Sequence, residues 1–120
     1  MKQALPNCPI AAAIMLVGNK WKIQIIRELL LDTQDGKRFS QIKAGIENIS
    51  DKMLSQSLKE LEEDHLLQRK VLDTAPPRTE YTLTEMGQGL ANALMSLYKW
   101  GTAYKSMYGS EPLQQGEELT

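Results

Sequence analysis

Apolar residues recur every three or four positions along most of this chain, with polar residues between them, and this period predicts a mainly helical fold. Five helices are expected, over residues 9–17, 20–31, 41–46, 51–64 and 84–108. Short side-chain oxygens stand where the last four helices begin, at Asn19, Ser40, Ser50 and Thr84. Such side chains accept hydrogen bonds from the free N–H groups of a first helical turn, so we expect them to be the N-caps.

Between the fourth and fifth helices the apolar residues alternate instead, which is typical of strands. Residues 66–72 and 79–83 are the expected strands, and Pro76-Pro77 stiffens the tip between them. The predicted fold class is therefore α+β, mainly α with a small β-hairpin. A short helix, a turn at residues 47–49, a longer helix and a hairpin are, in that order, typical of a winged helix-turn-helix domain. Such a domain places one helix in a duplex groove beside a wing.

One domain is expected over residues 8–108, with the helix-turn-helix at about 40–64 and the wing at about 66–83. The 120 residues of the chain are enough to bury one modest core. Residues 1–7 show no helical pattern and are interpreted as a flexible arm. Residues 109–120 hold three of the 15 acidic residues and no basic one, so they are interpreted as a polar, acidic and disordered tail.

The net charge of the chain is −1, which is unusual for a protein that binds nucleic acid. Without the tail, however, the chain carries 14 basic residues against 12 of the 15 acidic ones. Because this balance is small, only the face on which the charges lie decides whether DNA can bind. The chain contains no apolar run long enough to cross a membrane, no secretory signal at its start and a single cysteine, so we expect a cytoplasmic protein.

The fourth predicted helix carries candidate DNA-reading residues on one face. At roughly 100° per residue, Leu54, Leu58 and Leu61 fall together and form a packing seam. The candidate DNA-binding residues lie at the start of the helix or on its opposite face: Ser50, Lys52, Ser55, Gln56 and Lys59. Lysine donates to guanine acceptors and glutamine makes two hydrogen bonds to an adenine edge, so this face suits the major groove. Taken alone, it also fits an ordinary amphipathic helix with a solvated face.

Cations are also expected around the wing. Arg69, Lys70 and Arg78 lie on or near the hairpin, and Arg78 directly follows the two prolines. An arginine presented on a stiff loop suits a phosphate or a narrow minor groove. Arg38, at the start of the third helix, is placed to contact the phosphate backbone. We therefore add Arg38, Arg69 and Arg78 to the candidate DNA-binding residues, with a solvated hairpin as the alternative for the wing.

Six motifs of this chain occur together in a specific order and spacing. They are Gly18-x-Lys20-Trp21, Arg38-Phe39, Ile49-Ser50-x-Lys52-x-Leu54, Leu58-x-x-Leu61, Pro76-Pro77-x-x-Glu80-Tyr81-x-Leu83-Thr84 and Gly87. Over residues 8–101 the chain closely resembles the HxlR family of bacterial winged-helix transcriptional regulators. It departs from that family at His65, where glycine is usual. Histidine tolerates the left-handed backbone of a helix end at modest cost.

The resemblance implies a DNA-binding regulator, most often a repressor, that acts as a homodimer in response to a stress or metabolic signal. The twofold symmetry of the dimer would call for a palindromic operator. By the same resemblance, residues 50–64 form the DNA-reading helix and residues 73–78 the wing. The first and last helices would form the dimer interface, through Ile10, Ile14, Leu90, Leu94, Leu97, Tyr98, Gly101 and Tyr104. A pocket for a planar small-molecule effector is the alternative use of this aromatic region.

The single cysteine, Cys8, precedes Pro9 at a helix start, where backbone N–H groups and the helix dipole favour the thiolate. Several HxlR-type regulators sense electrophiles, quinones or oxidants through an N-terminal cysteine, and Cys8 matches that position. The resemblance thus leads to the hypothesis that modification of Cys8 changes the affinity for DNA, with an inert cysteine as the alternative. Since the chain has no second cysteine, the product would be an adduct, a mixed disulfide or a bridge between the two Cys8 thiols of a dimer.

Other functions remain open from the sequence. A winged helix can serve protein contact alone, although its outer face would then be expected to be apolar. A regulator of this fold can also respond to a small molecule without thiol sensing. An enzyme is not expected, because the chain has no glycine-rich phosphate loop, no histidine near Cys8 and no evident carboxylate pair. Neither a cofactor nor a metal is expected.

Overall fold

The structure, a computed structural model, describes residues 4–31 and 36–110. Its helices and strands are α1 (Pro9–Val17), α2 (Lys20–Leu31), α3 (Phe39–Ala44), α4 (Asp51–Glu63), β1 (Leu67–Leu72), β2 (Arg78–Leu83) and α5 (Glu85–Tyr108). The predicted α+β fold, with five helices and one antiparallel hairpin, is confirmed for these residues. The first three residues of the predicted arm, and residues 111–120 of the predicted tail, lie outside the described residues.

Three helices begin at side-chain caps that the sequence predicts. The side-chain oxygen of each cap accepts a 3.0 Å hydrogen bond from the backbone N–H three residues on: Asn19 from Lys22, Ser50 from Met53, and Thr84 from Gly87. Each bond satisfies an N–H group of the first turn that has no partner within the helix. The start of α4, the helix with the DNA-reading candidates, is therefore fixed by Ser50.

The start of α3 differs from the prediction. Ser40 is not its cap, because the helix already begins at Phe39 and Ser40 lies exposed inside it. Arg38 is the N-cap residue, and its backbone N–H donates to the side-chain oxygen of Gln41 at 2.9 Å. A side chain that reaches back from the third helical position thus fixes the helix start, so a serine cap is not needed.

The turn between α3 and α4 is longer than the three residues predicted, since α3 ends at Ala44 and the turn begins at Gly45. A Cβ on Gly45 would lie 2.0 Å from a carboxylate oxygen of Glu28, so a side chain there requires Glu28 to move. Asn48 has a φ of 65°, a left-handed conformation that asparagine tolerates. The turn therefore reverses the chain directly against α2, which carries Glu28.

The core lies where α4 packs on α2. Leu54, Leu58 and Leu61 are buried together, as the helical period predicts, in the same cluster as Ile25 and Ile26 of α2. Full burial of such a side chain contributes about 1.5–3 kcal/mol to stability. Because one face of α4 is fixed in this core, its opposite face is left to the solvent.

The hairpin follows α4 after a left-handed turn at His65, whose φ is 65°. This is the backbone conformation expected at the position where the family usually has glycine. The sequence predicts that the first strand begins at Leu66, but this is wrong. The N–H of Leu66 donates to the Leu61 carbonyl oxygen at 3.0 Å and closes the turn. β1 therefore begins one residue later, at Leu67.

The register of the hairpin places Arg78 opposite Leu72. Arg78 is therefore the first residue of β2, one position before the predicted strand start, rather than a residue of the tip. Lys37 and Tyr81 exchange two backbone hydrogen bonds, of 3.0 and 2.8 Å, between their N–H and carbonyl groups. These bonds anchor the hairpin to the segment that leads into α3.

Candidate nucleic-acid interface

One side of α4, which we call its outer face, consists of Lys52, Ser55, Gln56 and Lys59, and all four are exposed. They lie opposite the buried leucines that seat the helix on α2. Among the described residues, neither lysine has an ion-pair partner. The two ammonium groups can therefore bind an anion or a base acceptor, and the hydroxyl and carboxamide beside them can both donate and accept hydrogen bonds.

Ser50 lies at the N-terminal edge of the outer face. Its Oγ accepts a hydrogen bond from the N–H of Met53, and its O–H group remains available as a donor. Asp51, in the first turn, would repel a phosphate at this helix end, but Lys43 of α3 forms an ion pair with its carboxylate. The sequence does not predict Lys43 as a site residue, because its pair with Asp51 depends on the path of the turn between α3 and α4 and not on a regular spacing along one helix. The pair removes a negative charge from the place where a phosphate would approach.

Gln56 is the first member of a chain of three side chains, Gln56, Glu60 and Lys22, which we call the Gln56 relay. Gln56 Nε2 donates to Glu60 Oε2 at 3.1 Å, and Glu60 Oε1 accepts from Lys22 Nζ at 2.8 Å. The Lys22 side chain, on α2, is only 10 % exposed, so its charge requires the partner carboxylate. The hydrogen bonds from Lys22 and then from Gln56 lower the pKa of Glu60, which is therefore ionised at neutral pH.

Arg78 stands at the hairpin end, next to the tip. Its Nη2 lies 3.7 Å from Glu80 Oε2, and its side chain is about half exposed. The tip is closed by Thr74, whose Oγ1 donates to the carbonyl oxygen of Pro76 at 2.6 Å. An exposed ion pair of this kind contributes only about 0–1 kcal/mol, so Arg78 can exchange Glu80 for a phosphate at little cost.

The other predicted cations are placed differently from one another. Arg69 Nε lies 3.9 Å from Glu62 Oε1, so Arg69 is directed toward the C-terminal end of α4 rather than toward the tip. Lys70 and Arg38 are exposed, and within residues 4–31 and 36–110 neither has an ion-pair partner. Arg38, the N-cap residue of α3, directly follows Lys37, whose backbone pairs with Tyr81 of β2, so Arg38 lies beside the hairpin. Of the three predicted arginines, Arg69 and Arg78 therefore each lie beside a glutamate, whereas Arg38, among the described residues, does not.

The residues predicted for the dimer interface fall into two groups. Five are exposed, with exposed fractions between 43 and 72 %: Ile10, Ile14, Leu97, Tyr98 and Tyr104. Three are only partly exposed: Leu90, Leu94 and Gly101. The two leucines of the second group pack against the core of their own chain. A second protomer would therefore meet mainly the first group.

Further exposed apolar residues continue this surface along the last turns of α5. They are Trp100, Met107 and Tyr108, which were not among the predicted interface residues. The ring centroids of Trp100 and Tyr104 lie 5.4 Å apart, and those of Tyr104 and Tyr108 lie 5.2 Å apart. We call the surface formed by Ile10, Ile14, Leu97, Tyr98, Trp100, Tyr104, Met107 and Tyr108 the apolar face of α1 and α5.

A cleft of about 410 Å³ lies between α2 and α5. Most of its lining side chains are apolar, among them Ile23, Leu94 and Tyr98, and two are charged, Arg27 and Glu28. An effector pocket, which the sequence leaves open as an alternative, would lie in this region. Since the cleft shares Leu94 and Tyr98 with the predicted dimer interface, a second protomer and a small molecule would meet the same side chains.

The thiol of Cys8 is exposed, at the N-cap of α1. Hydrogen bonds from the backbone N–H groups of Ala11 and Ile10 lower the pKa of this thiol below that of an ordinary cysteine. A lower pKa increases the thiolate fraction at neutral pH, and the thiolate is the form that reacts with electrophiles. Cys8 is therefore exposed, and the backbone around it favours the thiolate.

In the part of the chain that the structure describes, no three or more His, Cys, Asp or Glu side chains are grouped so as to hold a metal ion. None of its helices is both long enough and apolar enough to cross a membrane.

Comparison with known proteins agrees with the geometry of the helix-turn-helix. The sequence model of the HxlR-like helix-turn-helix family matches residues 16–108. An HTH-type transcriptional regulator of Methanothermobacter thermautotrophicus is 39 % identical over 112 residues, which cover 92 % of this chain and 79 % of that protein. The solved structure of the redox regulator HypR in its reduced form matches with a TM-score of 0.77 at 29 % identity, over 86 % of this chain and 99 % of HypR. The reduced form of the transcriptional regulator YodB from B. subtilis matches with a TM-score of 0.71 at 34 % identity, over 88 % of this chain and 100 % of YodB.

Proposed function

Since the chain belongs to the HxlR-like helix-turn-helix family and is a DNA-binding transcriptional regulator, we propose that it is a cytoplasmic homodimeric repressor that reads a palindromic operator with α4. It acts by binding and has no enzymatic activity. The observation that carries this proposal is the outer face of α4, whose four polar side chains are exposed while the opposite face is buried in the core. Such a helix can enter the major groove without losing the packing that holds it.

The side chains of the outer face match the groups that base edges present. Lys52 donates to the O6 and N7 acceptors of guanine, and the carboxamide of Gln56 pairs with the N6 and N7 atoms of adenine. Lys59, seven residues after Lys52 on α4, contacts the phosphate backbone. A helix used only for protein contact would present an apolar stripe, and the outer face has none. DNA is therefore the partner that this face favours.

The wing supplies contacts to phosphate groups, which do not depend on the base sequence of the DNA. Arg78 lies beside the tip in a weak pair with Glu80, so a phosphate can replace the carboxylate. Arg38 follows Lys37, whose backbone pairs with Tyr81 of β2, so a phosphate contact from Arg38 would add to that of Arg78 and help to hold the register of α4. Each phosphate that is neutralised adds a contribution to the affinity that falls with salt concentration.

A second copy of the chain is the proposed partner of the apolar face of α1 and α5. The exposed fractions of Ile10 and Met107 are both 72 %, and that of Trp100 is 65 %. The rings of Trp100, Tyr104 and Tyr108 are adjacent on α5, and an exposed apolar patch of this kind marks an interaction site. In a twofold dimer, the two α4 helices would read identical half-sites about 10 bp apart.

Modification of Cys8 is the proposed signal. Its thiol is exposed and its pKa is lowered, which favours the reactive thiolate. Two structural relatives support this choice, since HypR is a redox regulator and YodB is known in reduced and diamide-treated forms. On reaction with a quinone, the thiolate sulfur forms a bond to a ring carbon and the quinone takes up the proton, so no second thiol is needed. Cys8 lies at the start of α1, which carries part of the apolar face, so an adduct there would disturb the dimer that presents the two α4 helices.

The proposal is tested by selecting bound sequences from a random duplex pool. The wild-type protein should select two related half-sites of opposite orientation. Lys52→Ala should lose the preference at one position of each half-site, whereas Lys99→Ala, which removes an exposed lysine of α5, should leave the selected sequence unchanged. A wild-type protein that enriches no sequence, or two lysine variants with the same effect, would contradict the proposal.

A further inference from the structure

Gln56 makes a contact that its proposed role as a base reader does not itself require. Its Nε2 donates to Glu60 Oε2 at 3.1 Å, one helical turn further along α4. The carboxylate of Glu60 is not free to turn, because its other oxygen accepts from Lys22 Nζ at 2.8 Å. Both oxygens of Glu60 thus have a hydrogen-bond partner, Gln56 on α4 for one and Lys22 on α2 for the other.

Lys22 is a fixed anchor for this carboxylate. Its backbone N–H donates to Asn19 Oδ1 at 3.0 Å in the first turn of α2. Its side chain is 10 % exposed, so the ammonium group has lost most of its water and depends on the charge of Glu60. The position of Glu60 Oε2 is therefore set by the packing of α2 on α4, rather than by the solvent around α4.

A carboxamide beside an ionised carboxylate has one favourable orientation, since the NH₂ group donates and the carbonyl oxygen would be repelled. The bond to Glu60 uses one of the two hydrogens of that group, and our proposal takes it to be the hydrogen anti to the carbonyl oxygen. The carbonyl oxygen of Gln56 and the hydrogen syn to it then lie side by side on the free edge of the amide. That edge offers one acceptor next to one donor.

Adenine presents the complementary pair in the major groove, the N6–H donor next to the N7 acceptor. Guanine presents two acceptors there, O6 and N7. A Gln56 amide whose orientation is fixed would therefore set its carbonyl oxygen against O6 of guanine. A freely turning amide escapes this repulsion, because it can direct both hydrogens of its NH₂ group toward guanine.

We propose that Glu60, anchored by Lys22, is a positioning residue for base recognition, which holds the Gln56 amide so that it accepts adenine and rejects guanine. Glu60 does not itself touch the DNA. This inference rests on the proposed function, since it requires α4 to read base edges. It assigns the choice between two purines to a residue outside the contact surface.

The experiment first uses Gln56→Ala to find the base pair whose preference depends on Gln56. The affinities for the adenine and guanine versions of that pair are then compared for each variant. The wild-type ratio is expected to be about tenfold or more, as for a good bidentate contact. Glu60→Ala should bring the ratio within about threefold, and Lys22→Met should shift it in the same direction. Glu47→Ala is the matched control, because it removes an exposed carboxylate from the same helix-turn-helix outside the relay.

The ratio is measured rather than the affinity, because removal of any carboxylate near DNA raises the affinity for both duplexes. In the Gln56→Ala background, Glu60→Ala should change the ratio no further, a non-additivity that general destabilisation would not produce. If Glu60→Ala does not fold, Glu60→Gln serves instead, since its neutral amide no longer enforces one orientation of Gln56. A Glu60 variant that keeps the wild-type ratio while Gln56→Ala loses it overturns the inference and leaves the proposed function standing. A wild-type protein without any sequence preference overturns both.

Discussion

Gly87, in the first turn of α5, lies where the last helix meets the hairpin, and Gly87→Ala is expected to destabilise the protein. A Cβ at this position would lie 2.0 Å from the carbonyl oxygen of Leu66 and 3.1 Å from Leu83 Cδ2. Leu66 is buried, and its carbonyl oxygen accepts a hydrogen bond from the N–H of Thr84 at 3.1 Å. Rotation of one side chain therefore cannot make room for the added methyl group, so α5 must move away from the hairpin.

The magnitude follows from two opposing effects. In an unhindered helix, alanine is more favourable than glycine by about 1 kcal/mol. At Gly87, movement of α5 weakens the Thr84–Leu66 hydrogen bond, at a cost of about 1 kcal/mol. Overpacking around Leu83 costs a further 1–3 kcal/mol, roughly, as in other well-packed cores. The close contact outweighs the gain in helix propensity, and we expect the free energy of unfolding to fall by about 1–3 kcal/mol.

Gly89 provides the matched control, because it lies two residues further along α5 and a Cβ there meets no atom within 4 Å. Gly89→Ala should raise the free energy of unfolding by up to about 1 kcal/mol. Urea unfolding followed by circular dichroism measures both variants, at one protein concentration because association of protomers shifts the midpoint. If Gly87→Ala were as stable as the wild type, or the two alanine variants equal, the close approach of α5 to the hairpin would be wrong.

Three further predictions concern binding and reactivity. Lys52→Ala should weaken specific DNA binding more than non-specific binding, as measured by fluorescence anisotropy. Arg78→Ala should weaken both kinds of binding and reduce the slope of log affinity against log salt concentration by about 1. An unchanged slope would show that Arg78 does not contact the phosphate backbone. Leu97→Glu should give a monomer in sedimentation at micromolar concentration, because it places an unpaired charge in an apolar contact, and a variant that stays dimeric would exclude this surface as the interface. At neutral pH, Cys8 should react with iodoacetamide faster than the cysteine of an unfolded peptide with the same local sequence, because its lowered pKa leaves more thiolate. A Cys8→Ser protein that still loses operator affinity on diamide treatment would rule out sensing by this thiol.

The elements that the sequence predicts correctly depend on local periodicity. Leu54, Leu58 and Leu61 recur at helical spacing, so the buried side of α4, and hence its outer face, could be placed before any tertiary contact was known. The caps at Ser50 and Thr84 are equally local, since each bond spans three residues. The sequence does not predict the start of α3, because Arg38 has no capping side chain of the usual kind. The cap is formed instead by a glutamine that reaches back to the backbone of Arg38.

Contacts between residues far apart in the sequence could not be predicted. Lys22 and Glu60 come together only because α2 packs on α4, so the anchor of the Gln56 relay has no signature in the spacing of either helix. The bond from Gln56 to Glu60 is different, since residues four apart on a helix are neighbours, so the spacing of these two residues could indicate it. Leu94 and Leu97 are the same residue type on one helix, yet one packs against the core and the other is exposed, a division that only the tertiary structure makes.

Whether the outer face of α4 meets base edges can be measured by crosslinking from a single position on it. In a Cys8→Ser background, Ser55→Cys would carry a thiol-linked photoreactive group on the outer face, and Ser96→Cys would carry the same group on the exposed surface of α5. On a duplex that the protein has selected, irradiation should join position 55 to bases inside each half-site, while position 96 gives no base crosslinks. Crosslinks from position 96 at a similar yield, or none from position 55 on a duplex that is demonstrably bound, would show that α4 is not the element that enters the groove.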